Sequence, residues 1–373
     1  LEQDFTKNFL LTGAGRYEHY SDFGSTFNYK FSSRYNIGDR FSLRGSVSSG
    51  FRAPSMQQKY YAKTNTLFIS QWGSLVPVQA GTFTNDSQLA GLLGIPKLTE
   101  EKSHSYSVGF TAKPFSGFEI TVDAYQINIK NRIIYTNNFN GNTSAQIKSI
   151  LNAAGAQTAA FFTNAIDTKA KGLEAVFSYS KKFMKKQSLR ATLAMTFIDN
   201  EVKKDGNGKP IIHASDILFN GGQIGNYFNR EDQSRVEVAN PKNKISFTIN
   251  YKYSKFGLLL RFVNFGKVTY LDPSINPDST QKFPVNLFTG QKETLDQTFS
   301  AKTVTDLSLS YEVTKSIIAT VGANNLFNVY PDQQYHSGNQ SLGRFLFSRR
   351  VGQQGFNGAY YFARLKLNLD TKK

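Results

Sequence analysis

The strongest constraint in this sequence is an apolar alternation of period two, sustained over long segments. In residues 244–253, Ile245, Phe247, Ile249, Tyr251 and Tyr253 fall on one face, and Lys244, Ser246, Thr248, Asn250 and Lys252 on the other. Phe27, Tyr29, Phe31 and Tyr35 alternate with Asn28, Lys30, Ser32, Arg34 and Asn36. Leu43 and Val47 alternate with Ser42, Arg44, Ser46 and Ser48, and Leu365 and Leu367 with Arg364 and Lys366. A helix repeats every ~3.6 residues, so this pattern predicts strands. Twelve segments carry it: 8–20, 26–37, 40–52, 101–113, 117–135, 162–181, 187–199, 242–253, 256–269, 301–313, 316–327 and 359–370. Each reaches the roughly 9–11 residues that a tilted membrane strand needs, whereas globular strands hold about 5–6. In 117–135 the apolar phase slips between Ala124 and Ile127, which predicts a bulge.

The connections alternate in length. Short ones fall at 38–39, 114–116, 182–186, 254–255 and 314–315, and long ones at 53–100, 136–161, 200–241, 270–300 and 328–358. Only 21–25 breaks the rule. Bacterial outer-membrane barrels have short periplasmic turns and long outer loops, so all the long loops are expected at one end, outside the cell.

A soluble sandwich would need a second layer over the whole aromatic face; in a closed transmembrane barrel, lipid covers it and every backbone group is paired. The composition fits the membrane reading: 32 Phe and 19 Tyr supply lipid-facing and interfacial rings. In the clear strands the cations avoid the apolar face, where Arg or Lys near the midplane costs roughly 2–4 kcal/mol. The net charge of +17 is spread along the strands rather than clustered, so no nucleic-acid partner is expected. Cysteine is absent, as suits a chain that crosses an oxidising compartment. The four histidines (His19, His104, His213, His336) show no metal-ligand spacing, and neither a metal nor a cofactor is expected.

Five motifs, in order along the chain, resemble those of TonB-dependent outer-membrane receptors. Gly50-Phe51-Arg52-Ala53-Pro54-Ser55 enters a long loop, and Leu98-Thr99-Glu100-Glu101-Lys102-Ser103 begins a strand, with Glu100 where the family usually has Pro. Val122-Asp123-Ala124-Tyr125 through Ile133, Gly172-Leu173-Glu174, and Gly322-Ala323-Asn324-Asn325-Leu326-Phe327 complete the set. The overall look is similar to receptors of Bacteroidetes-type bacteria. The resemblance implies an all-β, antiparallel transmembrane barrel, of which 1–373 would be the C-terminal half without a second domain. The family's barrel has 22 strands around a plug; the missing strands and the N-terminal plug would belong to the same receptor. It further implies energised import of a ferric siderophore, vitamin, peptide or glycan, with the TonB complex pulling on the plug. Outer-membrane lipid, lipopolysaccharide and a surface lipoprotein are the other expected partners.

Candidate ligand contacts are the loop aromatics and cations Trp72, Tyr227, Phe228, Arg230, Tyr270, Tyr335, His336 and Arg344, against the simpler reading that they pack the loops. Arg44, Arg52, Arg364 and Lys366 are expected to face the lumen or the plug. Haem is not favoured, because 53–100 holds no His. Residues 143–155 read as a short loop helix with Ile147, Ile150, Leu151 and Ala154 on one face. Two rivals are a passive pore closed from these strands alone and a barrel enzyme. The second has only His213 with Asp216 to offer, and neither sits beside a visible nucleophile.

Overall fold

A computed structural model describes residues 2–71, 74–184, 186–273, 290, 296–336 and 346–368. Its strands are β1 (Glu2–Thr6), β2 (Phe9–Tyr20), β3 (Gly24–Ile37), β4 (Phe41–Arg52), β5 (Lys63–Gln71), β6 (Ser74–Thr82), β7 (Glu101–Ala112), β8 (Phe118–Tyr135), β9 (Phe139–Asn140) and β10 (Thr158–Ala160). There follow β11 (Phe162–Met184), β12 (Gln187–Val202), β13 (Asn243–Tyr253), β14 (Phe256–Phe265), β15 (Val268–Tyr270), β16 (Gln297–Phe299), β17 (Lys302–Glu312), β18 (Ile317–Asn324) and β19 (Tyr360–Leu367). Six short helices lie between them: α1 (Met56–Tyr60), α2 (Gln88–Leu92), α3 (Ala145–Ala153), α4 (Asp216–Asn220), α5 (Ile224–Tyr227) and α6 (Arg230–Glu237).

Thirteen strands form one antiparallel sheet in the order β1-β2-β3-β4-β7-β8-β11-β12-β13-β14-β17-β18-β19. All twelve expected segments are present, and β1 is the addition. Its five residues are too short for the alternation to register, but they pair with β2 through a tight turn. Among the described residues β1 and β19 are the two ends of the sheet. No helix of the described chain is long and apolar enough to cross a membrane, which says nothing of a barrel.

Facing residues show why the alternation matters. Partners directly opposite share a face, so one row runs Phe118–Tyr179–Ala191–Ile249–Leu260–Leu307–Ala323–Tyr361 across eight strands. A second runs Phe9–Tyr35–Leu43–Phe110–Val122–Ala175–Met195–Ile245. Much of this apolar face is uncovered: Phe27, Phe31, Val108, Leu309, Tyr311, Val321 and Leu365 are all exposed. Among the described residues no second layer packs on it, which is the condition that lipid satisfies.

The buried hydrophobic core lies instead among the loops. Leu89, Leu93, Phe139, Ile147, Leu151, Phe161, Ile166, Leu218 and Tyr227 pack into one cluster that joins the segments after β4, β8 and β12. Each such side chain, fully buried, contributes about 1.5–3 kcal/mol. The loop helix forms as expected: Ser144 caps α3, and Ile147 and Leu151 point into the cluster. A small sheet, β5-β6-β10-β9, binds the first of these loops to the second, and the β15–β16 ribbon ties the later ones. The long loops therefore gather at one end, as expected, and the short turns lie at the other.

The bulge expected between Ala124 and Ile127 is not there. β8 stays in register with β7 and β11 through Tyr125, Gln126 and Ile127, so Ile127 and Ile129 turn to the polar face. The register breaks further on, between Asn164 and Thr168 opposite Ile129–Ile133, where Asn131 takes φ +56. The apolar phase changes because Gln126, Asn128 and Lys130 succeed Val122 and Ala124 on the outer face, so the strand rises out of the lipid band there without a break in register.

Candidate functional site

The polar face carries the charge. Arg44 sits opposite Gly109, and Gly109 opposite Asp123. Arg44 reaches across the glycine and donates Nε to Asp123 at 2.9 Å and Nη1 to Thr111 at 2.8 Å. A Cβ on Gly109 would stand 2.0 Å from Asp123 Oδ1, so the pair exists because that position has no side chain. Gly172 serves Tyr125 likewise: a Cβ there would lie 2.2 Å from the phenol ring. This is the physical content of the Gly-Leu-Glu motif.

The family motifs meet at one carboxylate. Arg52 makes a bidentate pair with Glu101, with Nε at 2.8 Å from Oε2. Glu101 Oε1 also accepts the amide of Ile133 at 2.8 Å. Three motifs far apart in sequence are thereby fastened where the strands become loops. Ser55 then caps α1 in a reciprocal box with Gln58. Asn325, at φ +52, bonds Val329 in both directions at 2.8 Å, and its amide donates to Asp306, the partner of Arg261.

The four cations expected on the lumen side, Arg44, Arg52, Arg364 and Lys366, all lie on the polar face of the sheet. Arg44 and Arg52 are committed to Asp123 and Glu101 and act as braces. Arg364 and Lys366, on β19, have no carboxylate partner among the described residues. Arg34, directly opposite Arg44, has none either, and with Lys30, Ser32 and Ser46 it lines a groove of about 280 Å³. A larger groove of about 670 Å³ towards the short turns is lined by Lys182, Arg190, Asn250, Lys252, Ser308 and Glu312. Lys252 faces Glu312 at 3.8 Å, while Arg190 has no carboxylate partner among the described residues. Arg34 and Arg190 were legible in the sequence as cations on the polar phase of their strands; only pairing told them apart from Arg44.

The loop candidates divide. Tyr227 is fully buried against Phe139, its hydroxyl accepting the Ser215 amide at 3.2 Å, and burial pushes that hydroxyl's pKa up. Phe228 joins the same cluster. Arg230 is bidentate to Asp296 at 2.5 and 2.6 Å. Tyr270 is buried under the Arg350 guanidinium, 4.9 Å from its ring; burial raises its pKa to about 12. In this structure these four hold loops together, the simpler of the two readings given above, because aromatics and arginines that are good anchors for ligands are equally good anchors for loops. His336 is buried, with Nε2 at 3.1 Å from the Asp296 carbonyl. Tyr335 alone of the described candidates is well exposed. Trp72 and Arg344 lie outside the described residues. His213 is not paired with Asp216, which starts α4; its Nε2 lies 3.2 Å from Asp167, a loop contact.

This sheet and these loops have known counterparts. The family model of TonB dependent receptor-like β-barrels matches residues 1–326. An iron-regulated outer membrane virulence protein of Vibrio cholerae is 24% identical over 225 residues, covering 59% of this chain and 29% of that protein. The siderophore receptor PirA from Acinetobacter baumannii superposes with a TM-score of 0.62 at 15% identity, covering 98% of this chain and 44% of that one. A ferric enterobactin receptor (PfeA) mutant from Pseudomonas aeruginosa gives 0.61 at 14%, covering 98% and 43%. The chain thus spans less than half the length of these proteins. It belongs to the TonB-dependent receptor β-barrel family, and its sheet is part of a transmembrane barrel of the bacterial outer membrane.

Proposed function

We propose that this chain is wall and loop of a receptor that imports an external ligand with energy delivered through TonB, and that the ligand is a ferric siderophore. The observation that carries the reading is the polar face: Arg34, Arg190, Arg364 and Lys366 line it without carboxylate partners among the described residues. Ferric complexes of oxygen-rich chelators are commonly anionic, and cations at a water-filled wall attract and orient such a ligand. The loop core supports the same reading, since a folded cap at one end makes a selective mouth rather than an open pore. The names of the relatives, iron-regulated protein and siderophore receptors, agree with it.

The edges β1 and β19 would expose rows of unpaired backbone groups to lipid, each costing several kcal/mol. Further strands of the same receptor close the barrel between them, and a plug inside it engages TonB. Arg364 and Lys366 then face the lumen or that plug. The family is one of receptors and transporters, not of enzymes. The test is growth of a deletion strain under iron limitation with defined ferric siderophores, beside defined vitamin and carbon sources. Loss of growth on one siderophore, restored by the wild-type receptor but not by an Arg34→Ala/Arg190→Ala version that still reaches the membrane, is the expected result. A defect on a vitamin or glycan alone would refute the iron assignment.

A further inference from the structure

The last long loop encloses a cavity of about 270 Å³, between Phe299 at the end of β16, residues 331–332 and residues 347–356. Phe299, Val351 and the near-parallel rings of Phe347 and Phe356, 6.1 Å apart at 11°, give it an apolar wall. The carboxylate in its lining, Asp332, is held by the Ser300 amide and hydroxyl and by Lys302, so it does not call for a cation. Two neighbouring carboxamides complete the wall, and both have atoms left over. Gln353 is 7% exposed, and its Nε2 donates to the carbonyls of Gly266 at 2.9 Å and Ser300 at 2.7 Å. Those two acceptors fix the orientation of the amide, because the flipped group would set oxygen against oxygen. Its Oε1 is therefore an acceptor, and it is buried without a hydrogen-bond partner among the described residues. In Gln354 both Oε1 and Nε2 are buried, and neither has a partner among the described residues.

Buried amide atoms in folded proteins are paired, by protein, water or ligand. Water fits this cavity poorly. At roughly 30 Å³ per molecule there is room for about nine waters, and each needs two to four polar partners, which an apolar wall with three unpartnered amide atoms supplies to few of them. A ring compound suits it better: a cavity of ~150 Å³ holds benzene, so this one holds a substituted ring or two fused rings. We propose that the cavity binds a flat heterocycle with a donor–acceptor–donor edge, the cyclic-ureide class to which the pyrimidinediones belong. One ring N–H and the adjacent C=O meet Gln354 Oε1 and Nε2, the bidentate pairing that a carboxamide makes with a base edge. The second N–H meets Gln353 Oε1, and the ring packs on Phe347 and Phe356. None of these residues belongs to the polar wall of Arg34 and Arg190, so the assignment does not depend on which ligand is imported.

The test is isothermal titration of the full-length receptor in detergent with uracil and with N,N′-dimethyluracil, in which both N–H donors are methylated. The wild type is expected to bind uracil at least tenfold more tightly than the dimethyl compound. Gln354→Leu, which keeps the bulk and removes both amide atoms, is expected to lose that preference, whereas Lys97→Ser, an exposed loop lysine outside the cavity, keeps it. Equal affinities in the wild type, no detectable uracil binding at millimolar concentration, or an unchanged preference in folded Gln354→Leu overturns the proposal. A crystal structure of the uracil-soaked receptor in which only ordered water, or another segment of the receptor, fills the cavity overturns it as well. Should Gln354→Leu not fold, the wild-type comparison decides alone.

Discussion

Phe247→Arg puts the membrane assignment under direct load. Phe247 is the fifth of eleven residues in β13, between Leu193 of β12 and Phe262 of β14 on the apolar face. That position is close to the middle of the band, where a guanidinium in lipid costs roughly 2–4 kcal/mol. At about 1.36 kcal/mol per tenfold, the folding equilibrium in a bilayer falls by about 30- to 900-fold. One residue on, Thr248 lies between Thr192 and Arg261 on the polar face. An arginine there stays in water, with Asp306 beside Arg261, and costs under about 1 kcal/mol. Urea titrations of the full-length receptor in phospholipid vesicles, read by the heat-modifiable mobility of the folded barrel, measure both. Equal midpoints for the two variants would refute the face assignment, since nothing else distinguishes neighbouring positions so sharply.

Trypsin added to intact cells is expected to cut at Lys204, in an exposed hairpin of the third long loop, and to spare Lys255 in its tight turn; the reverse would invert the orientation. Gly109→Ala pushes a methyl into Asp123 and the Val122 carbonyl and should cost about 1–3 kcal/mol, seen as a lower urea midpoint; no change would mean that the Arg44–Asp123 brace carries no load. Arg230→Met should leave the sheet intact while amide exchange rises in α6 and β16, because Asp296 loses its bidentate partner; unchanged protection would mean that the latch is idle. Burial alone would raise the pKa of Asp332, but Lys302 and the two Ser300 donors hold its carboxyl below the usual carboxylate range. A depressed folded pKa means that the tie is complete above the unfolded value of ~3.9 and is lost only as pH falls through the folded one. Exchange near Ser300 should therefore rise only in that acid window, and Asp332→Asn should remove the step.

The membrane strands were legible because lipid enforces alternation on every one of them, and their predicted ends fall close to the observed bounds. β1 escaped because five residues at a sheet edge carry too little pattern. The phase slip near Ala124 was visible but misread: it marks the height at which Gln126, Asn128 and Lys130 take over the outer face of β8, and composition alone does not show where lipid ends. The loop core was legible only in α3, whose capping serine and Ile147–Leu151 spacing are local signals. The rest depends on contacts such as Tyr227 on Phe139, between segments about ninety residues apart. The same limit applies to the site. Arg44 and Arg34 look alike in sequence, and only the partner across Gly109 shows that Arg44 is a brace, while Arg34 has no carboxylate partner among the described residues.

The central claim is that one face of this sheet meets lipid and the other meets water. In the reconstituted receptor, with any cysteine outside this chain replaced by serine, single cysteines are introduced at each position from 244 to 252 and spin-labelled. Accessibility to oxygen, which concentrates in lipid, is expected to peak at 245, 247, 249 and 251. Accessibility to a water-soluble nickel chelate is expected to peak at 246, 248 and 250. A flat profile, or the two probes rising and falling together, would contradict the claim.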